Sequence, residues 1–594
     1  MNALIEQGIA QLKLWLALGQ SWWLALPPEQ QVGYALLFMA GWISAELALF
    51  ILKNSIIFIM RRIGLSSPEL YGVFPRTLPW RSLLKIYLAF SRWREMLFKF
   101  GKVSTGGFAS VFSTLTNLNR KNTLLLGIMW LWGFRIYQPI GVKLNKHVLV
   151  IAGTGSGKTS SMIASIENWK GSAFIIDPTG IIKGALAAKD IKRNWVTLEP
   201  YSDDSAQINP FDDLKAAQQR EGENAAVTWA YRIGQSFIPT SEGSKQPYFT
   251  DASRGMFVGL VLHVLTAHPE AEHHLGTVRD LITYGYRVFH EDGSIDSTPE
   301  EARQLLYKMM LDNPSFEGAV AGAAAPFINA SSETRGNLES TLQERTKVLD
   351  IPSVRHFFKR TTMPLSVLKT RNDVVFTLNI PLYSLREELR DVARLIQNLV
   401  CYTFESVKPR KGTCLMVVDE VQAQGYNQSL EISLPVARSQ GLLIIAITQD
   451  VEGLKASYPK TYQGFIGSAD VVLWMGTAHP QNLSMLSQIL GKKTIIEKDK
   501  HTSRKSYRDV EVMSPEQIGR FLDPTNGNMI VTRAGKRAWR LKIDPYFTAL
   551  PVWRYCPDPD HSEALLRRIT RFVLSPFIQK SKQSTKENRH DKQS

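Results

Sequence analysis

The 594-residue sequence predicts an α/β fold: a doubly wound parallel sheet, interrupted by an all-α insert and preceded by an N-terminal transmembrane anchor. Three observations predict it. Short apolar runs closed by turn residues recur on both sides of a long central stretch. That stretch has helical spacing with few strand candidates. Near the start lies an apolar run long enough to cross a bilayer.

The anchor comes first. Residues 32–60, "VGYALLFMAGWISAELALFILKNSIIFIM", are broken only by Glu46, Lys53 and Asn54. About 20 apolar residues suffice for a spanning helix. Arg61, Arg62, Arg76, Arg81, Lys85, Arg92 and Arg94 follow, and such an excess places the subsequent chain in the cytoplasm. Upstream, residues 9–26 are weakened by Gln11, Lys13 and Gln20, while Trp22 and Trp23 suit a membrane interface. With "PPEQQ" as a tight turn, residues 1–62 read as a two-helix hairpin with both ends cytoplasmic. The alternative is one spanning helix preceded by an interfacial amphipathic helix. The start lacks the marks of a cleaved signal peptide.

Residues 63–120 read as a basic, aromatic, membrane-proximal connector. "NTLLLGIMWLWGFRIYQPIG" (122–141) is too short and too broken, at Gly127, Gly133 and Pro139, for another span, and reads as strands. Buried parallel strands are then expected at "HVLVIAG", "SAFIIDP", "WVTLEP", "VVFTLNI", "CLMVVDE", "LLIIAITQ", "DVVLWMG" and "NMIVTRAG". These make an α/β domain of residues 121–212 and 372–555, with residues 213–371 as the all-α insert. Residues 556–594 are expected to be a basic, disordered tail, and "QKSKQSTKENRHDKQS" in it is too polar to pack.

Composition bounds the partners. A net charge of +16 favours an anionic partner, nucleic acid or the cytoplasmic face of a membrane. The three cysteines, Cys401, Cys414 and Cys556, show no metal-ligand spacing, which argues against a disulfide scaffold.

The chemistry concentrates in Ala152, Gly153, Thr154, Gly155, Ser156, Gly157, Lys158 and Thr159, a G-x-x-x-x-G-K-[ST] pattern with alanine in the first position. An apolar strand precedes it and a helix follows. Small residues let successive backbone N–H groups curl around phosphate oxygens at a helix N-terminus. Lys158 is expected to bridge the β- and γ-phosphates of ATP, and Thr159 to give a hydroxyl to Mg²⁺.

"CLMVVDE" supplies the complementary carboxylates. Asp419 is expected on the metal and Glu420 as general base for the attacking water. Gln449, ending "LLIIAITQ", is placed to sense the γ-phosphate, or is a simple strand-end amide. Arg438 in "VARSQG" is a candidate arginine finger for a neighbouring subunit, with a solvated helix-end arginine as the alternative; Arg335 and Arg345 are weaker candidates. "HPEAEHH" (268–274) matches no metal-ligand spacing, and "PYSDDSAQINPFDDL" reads as a loop rather than a calcium site.

The ordered set of motifs resembles the coupling-protein ATPases of type IV secretion and conjugation (the TraG/TraD-like family), related to the FtsK and HerA translocases. "HVLVIAGTGSGKT", "FIIDPTG", "LEPYSDDSAQINPFDDL", "QPYFTDASRGMFVGLVLHVL", "SSETRGNLESTL", "VVDEVQAQG", "ITQD" and "SADVVLWMGTAHPQNLSMLSQILGKKT" carry it, over about residues 100–545. Gly153 stands where proline is common and Thr179 where lysine is common. Only "PPEQQ" replaces the usual periplasmic segment.

The resemblance implies a RecA-like domain in a homo-hexamer on the bacterial inner membrane, with the bulk of the chain cytoplasmic. ATP hydrolysis with Mg²⁺ would drive single-stranded DNA with its relaxase, or secreted proteins, into the type IV secretion channel. Two alternatives stay open: a receptor for protein effectors only, and an FtsK/HerA-like DNA translocase. No winged-helix reader is evident after residue 550, which weighs against the FtsK form. An HExxH zinc protease motif is missing.

Overall fold

A computed structural model of the chain describes residues 59–63, 65, 107–109, 123–131, 134–144, 147–239, 247–287, 298–408, 412–498, 505–559 and 563–574. The chain divides into two compact units, Met1–Ile63 and Gly64–Ser594. Of the first, residues 59–63 are helical. The expected membrane hairpin otherwise lies outside the described residues, as does most of the 63–120 connector. Among the described residues no helix is long and apolar enough to cross a membrane.

The second unit is organised on an 11-stranded sheet. In chain order its strands are β1 (Leu124–Leu131), β2 (Phe134–Val142), β3 (His147–Ala152), β4 (Ala173–Ile176), β5 (Asn194–Leu198) and β6 (Val374–Leu378). Then come β7 (Cys414–Val418), β8 (Leu442–Thr448) and β9 (Ala469–Met475). A separate pair, β10 (Lys492–Lys498) and β11 (Lys505–Glu511), precedes β12 (Asn528–Arg533) and β13 (Lys536–Lys542). The spatial order is β2-β1-β13-β12-β9-β3-β8-β7-β4-β6-β5.

From β9 to β5 every pairing is parallel. Apart from the edge strand β5, these strands are buried on both faces, which is why β3, β7 and β8 are continuous apolar runs without alternation. At β9 the direction reverses. β12 runs antiparallel to both β9 and β13. "NMIVTRAG" was expected as a parallel strand, and on its β13 side the reason it is not is local. A two-residue turn at Ala534 and Gly535, with Gly535 at φ +67, folds β12 directly onto β13. The β1–β2 hairpin extends this antiparallel wing, as the 122–141 reading anticipated. Pro139 is tolerated because β2 is the edge strand.

Between β5 and β6 the described residues are helical or irregular, with no strand. "LKAAQQREGENAAVTWAYRIGQSF" is two helices, Pro210–Glu221 and Glu223–Phe237, split at Gly222 with φ +85. Asn209 caps the first, with Pro210 at its start. The Pro247–Ala267 helix is apolar around much of its circumference, and a Cβ on its Gly259 would meet Ala323 Cβ at 2.3 Å. The close crossing with the Ala319–Asn329 helix therefore requires glycine. Thr298 and Glu301 form a capping box on Pro299–Leu311.

Residues 565–574, inside the stretch expected to be an unstructured tail, are helical. Their inward side is held by arginines. Arg567 donates to Tyr555 Oη at 2.8 Å, and Arg571 pairs with Glu563 at 2.7 Å. The polar run 579–594 lies outside the described residues.

Candidate nucleotide-hydrolysis site

β3 ends at Ala152 and the chain turns through residues 153–157 into the Lys158–Asn168 helix. Gly155 and Gly157 take left-handed backbone, φ +73 and +79, which side-chain-bearing residues disfavour. Gly157 is the helix N-cap, and no side chain caps the helix, so its first amides stay directed at the loop. Gly153 donates to Met475 O at 3.1 Å, and a Cβ on it would lie 2.1 Å from Gly476 O. The loop is thus seated on the end of β9, and this close approach accounts for glycine at 153.

β7 runs next to β8, which separates it from β3, and ends in Asp419 and Glu420. Across 260 residues of sequence, Thr159 Oγ1 donates to Asp419 Oδ2 at 3.1 Å. Lys158 Nζ contacts Glu420 Oε2 at 3.0 Å. Burial drives the Asp419 carboxyl up to about 6, and Asp177 and Glu420 add to this, while Lys158 and Thr159 oppose it. Its Oδ1 is buried without a hydrogen-bond partner among the described residues. An acidic, desolvated oxygen beside the Thr159 hydroxyl suits a hard divalent cation, so the residues present fit Mg²⁺. Glu420 sits in left-handed backbone, φ +70 and ψ +62, unusual for a non-glycine residue and common at functional sites.

Gln449 follows β8 directly, at the same end of the sheet, half-buried and with no side-chain hydrogen bond among the described residues. Arg438 lies elsewhere. It is exposed in the turn before β8, near His147 at the start of β3, so it stands at the opposite strand ends from the loop of its own chain. Arg335 bonds Glu300 and Ala330 O within the helical stretch.

The histidine-rich segment is engaged locally. His268 Nδ1 meets Glu272 Oε2 at 2.7 Å, and His274 Nδ1 accepts from Thr277 N at 3.2 Å. Several site neighbours had no sequence signal. Buried Asp177, at the end of β4, faces Asp419. Arg386 lies 3.7 Å from Glu420 Oε1, and Gln422 donates to that oxygen at 2.8 Å.

Residues 116–572 match the family model described as Type IV secretory system Conjugative DNA transfer. The chain belongs to that family. Among relatives of this conjugative-transfer protein, the conjugal transfer protein TraG of Escherichia coli is 23% identical over 472 residues, 72% of this chain and 71% of TraG. The probable conjugal transfer protein TraG of Sinorhizobium fredii is 21% identical over 358 residues, 59% of this chain and 53% of its own. The bacterial conjugative coupling protein TrwB, in an unbound form, matches with TM-score 0.56 at 16% identity, over 75% of this chain and 94% of its own. TrwB in complex with ADP and Mg²⁺ gives 0.55 at 16% identity, over 75% and 95%. The mixed α/β fold with its large parallel sheet is shared with TrwB.

Proposed function

We propose that this chain is the coupling ATPase of a type IV conjugation system, a RecA-like motor acting as a homo-hexamer at the bacterial inner membrane. The observation that carries the hydrolytic reading is the pairing of Lys158 with Glu420 and Thr159 with Asp419. Four groups from two distant segments converge within hydrogen-bond distance at the C-terminal strand ends, where α/β sheets bind ligands. TrwB structures with ADP and Mg²⁺, and with a non-hydrolysable ATP analogue, support ATP as substrate.

Residues 153–159 cradle the phosphates with backbone N–H groups, and Lys158 bridges the β- and γ-phosphates. Thr159 and Asp419 would hold Mg²⁺, which would neutralise phosphate charge when bound. The Lys158 to Glu420 ion pair sets an order of events. A phosphate that draws Lys158 away leaves the Glu420 carboxylate free to accept a proton from the attacking water. Gln449 senses the γ-phosphate, and Arg438 acts only on a neighbouring copy's site.

The basic-flanked run at residues 32–60 anchors the chain, with its bulk in the cytoplasm. The all-α portion, residues 213–371, faces the cargo. That cargo is single-stranded DNA with its relaxase, or secreted proteins, delivered to the secretion channel. Sequence-independent grip on DNA comes from lysine and arginine on phosphates and weakens with salt. The deciding experiment measures phosphate release by the full chain with and without single-stranded DNA. Stimulation supports DNA cargo; no stimulation, together with capture of effector proteins, overturns it.

A further inference from the structure

Gln422 has no part in the mechanism above, yet it touches the proposed base. It lies in the one-turn Val421–Gln424 segment that follows Glu420. Its Nε2 donates to Glu420 Oε1 at 2.8 Å, and its Oε1, at 3.0 Å, shares the Thr448 hydroxyl proton with Asp450 O at 2.9 Å. A carboxylate can only accept, so the amide nitrogen must face Glu420, which leaves the amide oxygen for the Thr448 hydroxyl.

The space around this amide is specified from the other side. A Cβ on Gly453 would lie 2.2 Å from Gln422 Oε1 and 2.9 Å from its Cδ, so any larger residue at 453 displaces the amide. Gly453 is itself fixed by its N–H, which donates to Asp450 Oδ1 at 2.5 Å. The chain of contacts then continues to the phosphate loop. Val451 N donates to Asn482 Oδ1 at 3.0 Å, and Asn482 Nδ2 donates to Thr477 Oγ1 at 2.7 Å. Thr477 Cα lies 3.7 Å from where a Gly153 Cβ would be.

We infer that Gln422 is a positioning residue for hydrolysis: it holds the Glu420 carboxylate in line and ties it, through Thr448, to the end of β8. Of the groups facing that carboxylate, Lys158 is claimed by phosphate. Arg386 is half-exposed and stands 3.7 Å away. Gln422 remains as the close, fixed donor. Because Thr448 directly precedes Gln449, the same contact links the base to the residue proposed to sense the γ-phosphate.

The inference rests on Glu420 as base, and the test separates the two. Phosphate release and ATP KM are measured on the full chain in detergent, with thermal unfolding as a check on folding. Glu420→Gln abolishes turnover if the base reading holds; normal turnover in this variant overturns that reading and, with it, the role of Gln422. Gln422→Ala lowers kcat about 10–100-fold at unchanged KM, the size expected for misplacing a reacting group by about 1 Å. Thr448→Val, which keeps the shape and removes the hydroxyl, reproduces part of the loss, and Thr448→Ser restores it. Gly453→Ala mimics Gln422→Ala, and the two combined are no worse than Gln422→Ala. An inactive Glu420→Gln beside a Gln422→Ala of unchanged kcat overturns the positioning role. So does a Thr448→Val effect as large in the Gln422→Ala background as alone.

Discussion

At their C-terminal ends β3, β7, β8 and β9 give way to Gly153, Asp419, Gln449 and Gly476. The same strands begin at His147, Cys414, Leu442 and Ala469. At the first set of ends, buried acids and left-handed backbone persist, and Asp419 keeps an unpartnered oxygen. At the second, polar groups serve the backbone. Ile444 N donates to His147 Nδ1 at 3.0 Å, and Ser172 Oγ donates to Arg371 O at 2.7 Å. The second end also holds a buried oxygen without a hydrogen bond among the described residues, Asp470 Oδ2, but Asp470 pairs with Arg533 of the neighbouring strand at 3.6 Å, so its charge serves the sheet where that of Asp419 is left for a ligand.

The largest expected effect sharpens that contrast. Lys158→Ala removes the cation that the carboxylates face, and phosphate release should fall about 10²–10³-fold or more. Conjugative transfer should vanish while membrane insertion is intact. Surviving transfer would remove the motor assignment.

Arg438→Ala tests whether the other strand ends are inert beyond their own chain. Acting as a finger on a neighbouring copy, Arg438 should matter only after assembly, where its loss costs about 10³-fold in turnover. ATP affinity should not move. A variant that hydrolyses normally at every protein concentration would leave the N-terminal ends purely structural.

Gly476→Ala should act through fit alone. The new Cβ would stand 2.4 Å from Ser156 Cβ on backbone of φ +52. Left-handed backbone costs a side-chain-bearing residue about 1–2 kcal/mol. With the loop displaced, ATP affinity should drop about tenfold, which is about 1.4 kcal/mol. Isothermal titration checks it, and unchanged affinity would mean that the seat on β9 is dispensable.

The smallest effect lies at the quiet end. Burial lowers the His147 pKa below 6.5; a hydrogen bond to the Leu434 backbone opposes this and nearby Arg438 reinforces it. The neutral ring therefore contributes stability that is full above pH 6.5 and is lost as pH falls through the lowered value. Melting temperature should fall on acidification from about pH 7 to 5. His147→Gln, which can still accept from Ile444 N, should flatten that slope. An identical slope in the variant would show that another group controls it.

Much of this was legible because it rests on runs of similar residues. β3, β7 and β8 are continuous apolar segments that a doubly buried strand demands. Residues 153–159 and Asp419 with Glu420 combine rare residue types at fixed positions beside such strands. The direction of β12 was not legible, since "NMIVT" has the same composition either way; Gly535 marks only its hairpin with β13, not its pairing with β9. The β10–β11 pair escaped because "KKTIIEK" and "KSYRDVE" are mostly charged or polar and show neither the alternation nor the apolar run that marks a packed strand. Gln422 and Asn482 escaped for a different reason: a single amide means nothing until a partner 26 or 31 residues away is placed against it. Arg438 reads the same in sequence wherever it sits, and its position at the far strand ends is a fact of topology.

The antiparallel wing has a practical consequence for preparing fragments. β1 covers β13, and β13 runs on to Ile543, whose side chain lies 3.7 Å from where a Gly157 Cβ would be. A fragment that starts after β2 would strip this cover. It would expose the N–H and C=O groups of β13 as a sticky free edge only one residue short of the phosphate loop's neighbour. A truncation boundary that keeps residues 123–142 should give a dispersed protein, and one that removes them should aggregate before its chemistry can be measured.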